Sequence, residues 1–226
     1  MEDIPAPGGE KPPAMRLYTI GHSTRSLDEL VEALRSFGVD LLVDIRTIPR
    51  SRHTPQFNRE ALSRTLPERG IRYAHLKALG GLRKPRRDSA NTGWRNAGFR
   101  GFADYMDTPE FAAALEELRG LIGGAGSAAI MCAEAVPWRC HRSLVADALT
   151  AQGDTVLHIM APGKAQPHAL TPFARVERGR VSYPGEPDPS PRGEDDRAQT
   201  RLPRGDDERT MRRRRAMKGK KAAERR

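Results

Sequence analysis

The stretch LYTIGHSTRSLDELVEALRSFGVDLLVDI, residues 17–45, decides the fold. Its apolar start at 17–20 predicts a short strand, and Ser26 and Glu29 have the three-residue spacing of a capping box that begins a helix. Residues 39–45 form a nearly continuous apolar run, which is typical of a strand covered on both faces. A strand, a helix and a buried strand in this order are the repeating unit of parallel α/β sheets.

The rest of the chain continues this alternation. Capping residues and apolar periods predict further helices at 58–66, 108–121 and 142–151, strands at 71–73, 127–132 and 155–160, and a small hairpin at 176–181. Residues 77–98 are irregular, and a loop of that length in a compact domain is usually functional or mobile. The sequence therefore predicts the α/β fold class, with a single three-layer, mainly parallel, Rossmann-like sheet and flanking helices.

Composition divides the chain of 226 residues into three parts. Residues 1–15 and 184–226 are poor in apolar residues, so we predict a disordered N-terminal extension, an α/β domain at 16–183 and a disordered basic C-terminal tail. No run approaches the ~18 apolar residues of a membrane span, and the N-terminus lacks the apolar core of a signal peptide. We therefore expect a cytoplasmic protein without a membrane partner.

The net charge of +10 is unevenly distributed. Residues 46–100 contain 14 basic and three acidic side chains, whereas the tail contains 14 basic and nine acidic ones. A concentration of cations within a folded segment predicts a partner that carries phosphate, either nucleic acid or a small molecule. The alternative is an Arg-rich surface that reflects genome composition, because the chain has 32 Arg against seven Lys.

Polar and reactive side chains follow three of the predicted strands. Ligands of open α/β sheets bind at the carboxyl ends of parallel strands, so these side chains are candidates for one site. They are His22 and Ser23 after the first strand, Asp44, Arg46 and Ser51 after the second, and Cys132 and Glu134 at the end of the strand at 127–132.

The sharpest feature runs from Cys132 to Arg142. Cys132 ends a predicted strand, and Cys140 lies at a helix N-terminus, where free N–H groups and the helix dipole lower the pKa of a thiol. Two cysteines exclude a disulfide-built scaffold. Four interpretations stay open: a nucleophilic or redox thiol, a metal site of both cysteines and a histidine such as His22 or His141, an anion site of Arg142 and the helix N-terminus, and two buried structural cysteines.

Three side chains have positions that suggest either proton transfer or anchoring. Glu134 follows the strand-end cysteine by two residues, so its carboxylate could be a general base or could hold Arg142 in place. Asp44 has the same spacing to Arg46 and could anchor either this arginine or a helix N-terminus. His22, after a glycine at a strand end, could be a general base, a phosphate contact or a structural residue.

The segment between the second strand and residue 98 offers groups that could close over a phosphate-bearing ligand. Four of them are assigned to substrate or anion binding: Tyr73, Gly80, Gly81 and Arg83. Aromatic side chains that follow could supply stacking faces for a base, although Phe99, Phe102 and Tyr105 also have the spacing of one buried helix face.

Six motifs together resemble a known family. They are TIGHS at 19–23, DIR at 44–46, GIRY at 70–73, LGG at 79–81, MCAE at 131–134 and CHR at 140–142. In this order, over about residues 17–160, they resemble the bacterial and archaeal family called Domain of Unknown Function 488. The resemblance implies a compact α/β domain whose polar motifs gather at one site, and it implies no reaction. The sequence lacks the motifs of P-loop NTPases, Rossmann dehydrogenases, zincins and thioredoxins.

These observations predict an enzyme that acts on a nucleotide, nucleobase or nucleic-acid substrate at the strand ends. The predicted catalytic residues are Cys132, Glu134, Cys140, His22 and Asp44. The predicted substrate- or anion-binding residues are Arg46, Ser51, Arg142, His141, Ser23, Tyr73, Gly80, Gly81 and Arg83. The alternatives are a non-catalytic nucleic-acid-binding protein and a thiol redox or metal-binding protein. The sequence requires no cofactor and assigns no metal ligand, while a Cys/His metal site stays open.

Overall fold

The structure is a computed structural model, and it describes residues 14–185. The strands are β1 (Arg16–Gly21), β2 (Leu41–Asp44), β3 (Arg72–His75), β4 (Ala128–Cys132), β5 (Thr155–Ala161), β6 (Lys164–Pro167), β7 (Arg175–Glu177) and β8 (Arg180–Ser182). The helices are α1 (Leu27–Arg35), α2 (Arg59–Thr65), α3 (Ala97–Met106), α4 (Pro109–Gly123) and α5 (Arg142–Ala151). Short 3₁₀ turns lie at Pro55–Phe57, Pro67–Arg69, Lys77–Leu79 and Pro137–Arg139.

Six strands form one sheet in the order β3-β2-β4-β1-β5-β6. The first five are parallel to one another, and β6 pairs with β5 in the antiparallel direction. The register places Gly21 opposite Cys132, and Asp44 opposite both Met131 and His75. The carboxyl ends of β1, β2, β3 and β4 therefore meet at one edge, which is where open α/β sheets bind ligands.

Apolar side chains cover both faces of the sheet. Along β1, Leu17 belongs to the cluster formed with α3, α4 and α5, whereas Tyr18 and Ile20 belong mainly to the cluster formed with α1 and α2. Successive side chains of an extended strand point to opposite faces, so one strand contributes to both clusters. The prediction of a mainly parallel α/β fold with helices on both faces is confirmed.

The predicted helix starts have the predicted chemistry, with one difference. At α1 the Ser26 hydroxyl accepts from the N–H of Glu29, and the Glu29 carboxylate accepts from the N–H of Ser26. At α2, Asn58 occupies the N-cap position, but its side chain accepts from the N–H of Ser51 at 2.6 Å. Because that N–H belongs to the loop after β2, Asn58 closes this loop and does not cap the helix.

Two peripheral elements complete the described part of the chain. The sequence of β6, KAQP, has no apolar alternation from which a strand could be predicted. The strand forms because the turn at Gly163, with a φ of 66°, brings the chain back along β5. The predicted hairpin at 176–181 is confirmed by the antiparallel pairing of β7 with β8.

The predicted disordered segments 1–15 and 184–226 lie outside the described residues, except for 14–15 and 184–185. In the described part, the N–H of Met15 donates to Asp154 Oδ1 at 3.1 Å, and the N–H of Gly185 donates to Thr92 Oγ1 at 2.9 Å. Among residues 14–185, no helix combines the length and the apolar character that crossing a membrane requires.

Candidate functional site

A cavity of about 340 Å³, here called the strand-end pocket, opens at the carboxyl ends of β2 and β4. Its lining includes the reactive side chains Cys132, Glu134, Cys140 and His141, the apolar side chains Ile48, Leu82 and Phe99, and the cations Arg46 and Arg139. The pocket therefore lies at the sheet edge where the sequence predicts a site.

Two sulfur atoms and one histidine nitrogen form a compact cluster in this pocket. His141 Nδ1 lies 3.9 Å from Cys132 Sγ and 3.7 Å from Cys140 Sγ, and the three atoms lie within 4.8 Å of one another. Both cysteines are buried, and neither forms a disulfide. The cluster forms because the turn Pro137–Arg139 returns the chain after β4, so that α5 begins beside the end of that strand.

The ring of His141 is held in one orientation. Its Nε2 donates to the carbonyl O of Ile45 at 3.3 Å, because a carbonyl can only accept, and this leaves Nδ1 facing the two sulfurs. Gly81 lies so close to the ring that an added Cβ would come within 2.6 Å of His141 Cγ. The Phe102 ring centroid lies 5.2 Å from that of the imidazole. Nδ1 can therefore exchange a proton with a thiol or coordinate a cation.

The two thiols differ in acidity. The pKa of Cys132 is lowered because its sulfur accepts hydrogen bonds from the S–H of Cys140 and from the N–H of Glu134 and lies beside the imidazole of His141. The pKa of Cys140 is raised well above its ordinary range, because its S–H donates to Cys132 and its side chain is buried. Deprotonation of the pair is therefore favoured at Cys132 over Cys140.

Asp44 and Arg46 form a buried ion pair beside the cluster. Arg46 Nε donates to Asp44 Oδ1 at 2.8 Å, and Arg46 Nη2 donates to Asp44 Oδ2 at 2.5 Å and to the carbonyl O of Phe57 at 2.6 Å. The Tyr73 hydroxyl also donates to Asp44 Oδ2, at 2.8 Å. Burial and the Asp44 carboxylate raise the pKa of Tyr73, which keeps this hydroxyl protonated. Asp44 thus anchors Arg46, which is one of the two roles that its spacing predicts.

Both ring nitrogens of His22 are engaged. Arg46 Nη1 donates to His22 Nε2 at 3.1 Å, because a guanidinium has no acceptor, and His22 Nδ1 donates to the carbonyl O of Ser23 at 3.0 Å. The ring stacks on Phe57 with centroids 4.3 Å apart. Burial and Arg46 lower the pKa of His22, which favours the neutral ring. These contacts position the end of β1, and a catalytic role for His22 stays a prediction.

Arg142 is almost completely buried, at 1% exposure, and it holds the chain after β4. Its Nη1 and Nη2 donate to the carbonyl oxygens of Glu134 and Ala135, each at 2.7 Å. A Cβ on Gly21 would overlap the Glu134 carbonyl O, so only glycine lets the end of β1 approach this closely. Arg142 thus fixes the backbone of Glu134, while its role as an anion clamp stays a prediction.

Four further predicted residues shape loops around the pocket. Ser51 Oγ accepts from two backbone N–H groups of its own loop. Arg83 donates to two carbonyl groups of its loop, and its guanidinium carbon lies 3.6 Å from the Tyr105 ring centroid. Gly80 packs against the loop after β2, and Ser23 turns the chain after β1 with a φ of 50°. Their substrate-binding roles stay predictions.

The pocket collects six of the predicted residues, and others remain beside it. The six are Cys132, Glu134, Cys140, Arg46, Gly81 and His141. Asp44 and His22 are buried and do not line it. Sequence reasoning missed Ile48 and Arg139 as lining residues. A signal was available for Ile48, because a large apolar residue two positions after the DIR motif, in a polar loop, has no buried face to join.

A second buried polar network connects β1, β5 and α5. Thr19 Oγ1 lies 2.7 Å from His158 Nδ1, and His158 Nε2 lies 2.9 Å from His168 Nδ1. His168 Nε2 lies 2.9 Å from Asp147 Oδ1. Because a carboxylate only accepts, neutral rings imply that His168 donates to Asp147, His158 donates to His168 and Thr19 donates to His158. Burial, His168 and Arg142 lower the pKa of His158 to about 4. The network borders a second cavity of about 440 Å³.

The match to a known family covers the part of the chain that lines the strand-end pocket. No curated protein and no solved structure matches the chain significantly. A family profile matches residues 26–149, which is more than half of the chain and contains β2, β4 and both cysteines. The match confirms the resemblance that the six motifs predict. The chain belongs to the family described as Domain of unknown function DUF488.

Proposed function

We propose that the protein is an enzyme that acts on a nucleotide, nucleobase or nucleic-acid substrate, and that the reaction takes place in the strand-end pocket. The observation that carries the proposal is the convergence of Cys132, Cys140 and His141, with Glu134, on one cavity. Its volume of about 340 Å³ lies within the range of small-molecule sites. Nucleophilic and proton-transferring groups at the carboxyl edge of a parallel sheet are typical of active sites.

Glu134 supplies the carboxylate of the proposed site. Its side chain is exposed and lines the cavity, while its backbone is held by Arg142. Among residues 14–185 this carboxylate forms no salt bridge. It can therefore accept a proton in the reaction or accept a hydrogen bond from a base.

The apolar walls favour a planar ring as the reacting part of the substrate. Ile48 and Leu82 line the pocket although they are 64% and 72% exposed. Phe99 adds an aromatic face, and its ring stacks on Trp94 with centroids 4.7 Å apart. Proteins hold unpaired bases by stacking them on such side chains. A nucleobase can stack against these walls and donate a hydrogen bond to the Glu134 carboxylate.

Cations close to the pocket favour a phosphate group on the substrate. Arg139 lines the cavity, and Arg50, Arg52 and Arg95 are exposed in chain segments that continue from lining residues. Within the described part of the chain these four side chains form no salt bridge. Unpaired cations around a pocket attract anionic substrates and raise their local concentration.

A substrate panel tests the proposal. Full-length protein is incubated with nucleosides, nucleotides and single- and double-stranded oligonucleotides, and mass spectrometry follows the products. We expect the wild type to convert at least one class. Cys132→Ser and Glu134→Gln should convert that class at least about 100-fold more slowly. Glu32→Gln removes an exposed carboxylate of α1 and should change nothing. A panel of which no member is converted, or equal rates for wild type and Glu134→Gln, would contradict the proposal.

The same unpaired arginines favour nucleic-acid binding without catalysis as the second candidate. Such binding would be largely non-specific, with a Kd of roughly 10⁻⁴–10⁻⁶ M at physiological salt, and it would weaken steeply as salt rises. Affinity measured against salt for the wild type and for Arg139→Glu tests it, because reversal of one contacting charge should reduce the salt slope. Binding that depends on salt, unaccompanied by conversion of any oligonucleotide, would favour this candidate over the enzyme.

A further inference from the structure

The donor atoms in the strand-end pocket have the spacing of a tetrahedral cation site. Zinc binds Cys sulfur at about 2.3 Å and His nitrogen at about 2.0–2.1 Å, so sulfur and nitrogen ligands of a tetrahedral site lie about 3.6 Å apart. His141 Nδ1 lies 3.7 Å from Cys140 Sγ and 3.9 Å from Cys132 Sγ. Small side-chain shifts would bring all three atoms onto one cation.

The surrounding chain already orients these donors. His141 Nε2 donates to the carbonyl O of Ile45, which directs Nδ1 at the two sulfurs. A zinc-ligating histidine almost always donates its other ring N–H to a carbonyl or carboxylate in this way. Gly81 lies against the same ring and limits its rotation. Two thiolates with one imidazole are donors that zinc prefers and that magnesium and calcium do not.

Three protein ligands leave one tetrahedral position for another molecule. Structural zinc sites use four protein ligands, whereas catalytic sites use three and keep a water in the fourth position. In the described part of the chain, the cluster consists of Cys132, Cys140 and His141, without a carboxylate. All three residues line the strand-end pocket, from which solvent or substrate can reach the cation.

We infer that Cys132, Cys140 and His141 bind a zinc-class divalent cation whose fourth position takes a water from the strand-end pocket. Cation binding needs no substrate, and only its use in turnover rests on the proposed function. A thiol nucleophile or a disulfide would use the same sulfur atoms, so these roles exclude one another. Of the interpretations that the cysteine spacing leaves open, a bound cation therefore favours the metal site over the nucleophilic or redox thiol.

Glu134 is the proton acceptor for the bound water in this arrangement. It lies two residues after Cys132, lines the same cavity and stays outside the ligand cluster. One O–H bond of the water breaks, the proton passes to the carboxylate, and hydroxide stays on the cation without transfer of an electron. Cation-bound hydroxide is a strong nucleophile near neutral pH, and it suits hydrolytic attack on an electrophilic carbon of a nucleobase.

Cobalt(II) titration of the full-length protein tests the cation site without a substrate. Reduced, chelator-stripped protein should bind one Co²⁺ per chain, with thiolate-to-cobalt charge-transfer absorption and the visible bands of tetrahedral cobalt, and Zn²⁺ should displace it. Cys132→Ser, Cys140→Ser and His141→Ala should weaken binding by more than the roughly 10–100-fold that loss of an outer-shell partner causes. His53→Ala removes an exposed histidine outside the cluster and should leave binding unchanged.

The outcomes separate the cation from the reaction. A wild type without a charge-transfer band overturns the inference, as does a His141→Ala titration equal to that of wild type; the wild-type spectrum decides alone if a cysteine variant fails to fold. Glu134→Gln should keep the cobalt spectrum and lose turnover. Chelated, cation-free protein that still converts nucleotides refutes the use of the cation in turnover and leaves the proposed function standing. One Co²⁺ per chain without conversion of any nucleotide refutes the proposed function and leaves the cation site standing.

Discussion

Arg46 donates two hydrogen bonds to the Asp44 carboxylate and one to His22 Nε2, so one guanidinium joins the ends of β1 and β2. A fourth bond goes to the carbonyl O of Phe57. A guanidinium has five N–H groups, so these four bonds leave one N–H of Arg46, a residue that lines the strand-end pocket. The Arg46 and Asp44 side chains are 8% and 0% exposed, and buried charges persist only when they are paired. The pair therefore has a structural role at the sheet edge, and most of its hydrogen bonds are made within the protein.

Asp44→Asn should lower the free energy of unfolding by about 3–5 kcal/mol, because it leaves a buried guanidinium without its counter-charge. Asp28→Asn is the matched control, since Asp28 pairs with Arg69 at the surface and is 80% exposed. This control should change stability by about 0–1 kcal/mol. Urea unfolding near neutral pH measures both. Equal losses in the two variants would show that Arg46 does not depend on its buried partner.

Gly21→Ala should destabilise the protein by about 1–3 kcal/mol through overpacking. The added Cβ would overlap the Glu134 carbonyl O and would lie 2.5 Å from Arg142 Nη1, so the chain after β4 must move. Gly120→Ala in α4 provides the control, because its Cβ would meet no atom within 4 Å. Helix propensity predicts a gain of about 1 kcal/mol there. The two substitutions should therefore shift the Tm in opposite directions, and an upward shift for Gly21→Ala would refute the close approach.

Gly81→Ala should affect the pocket more than the fold. The added Cβ would press on the imidazole of His141 and turn Nδ1 away from the sulfurs, whereas the loop around Leu82 is exposed and can adjust. We expect Co²⁺ affinity to fall by roughly 10–100-fold, as for loss of an outer-shell partner. Gly120→Ala serves again as the control. Unchanged cobalt affinity in Gly81→Ala would mean that Gly81 does not hold the ring.

Stability should decrease as the pH falls from about 6.5 toward 4, because of His158. Burial, His168 and Arg142 lower the pKa of the folded His158 to about 4, from an ordinary value of 6.5. In that window the unfolded chain binds a proton that the folded protein does not, so acid favours unfolding. One such proton changes the free energy by at most about 1.4 kcal/mol per pH unit.

Urea unfolding at a series of pH values measures this slope. His158→Gln should reduce it, whereas the exposed His53→Gln should not. A residual slope is expected in His158→Gln, because the pKa of His22 is lowered as well. An identical slope in wild type and His158→Gln would show that this histidine is not the acid-sensitive group.

Local patterns were sufficient for α1, α2, α4 and α5, for the five parallel strands and for the sheet edge at which the strand-end pocket opens. The capping box at Ser26 acts within one helical turn, and the apolar run before Asp44 spans a single strand, so both can be read without knowing the fold. The edge strand β6 could not be predicted in this way, because pairing with β5 creates it and its own side chains do not. The network around Asp147 was missed for a similar reason, since its partners His168 and Tyr183 lie in later segments of the chain.

The sequence by itself determined the α/β fold, the edge at which polar residues collect and the presence of reactive cysteines near that edge. The tertiary structure decided which of these polar groups remain available to a ligand. His22 uses both ring nitrogens and Arg142 uses both Nη nitrogens on the protein, whereas Glu134 lines the cavity. The reason is physical: apolar periodicity reflects residues close together in the chain, whereas these hydrogen bonds form between whichever groups the fold brings together. The bond from His141 to Ile45, 96 residues apart in the chain, turns one imidazole toward two sulfurs and makes them a single site.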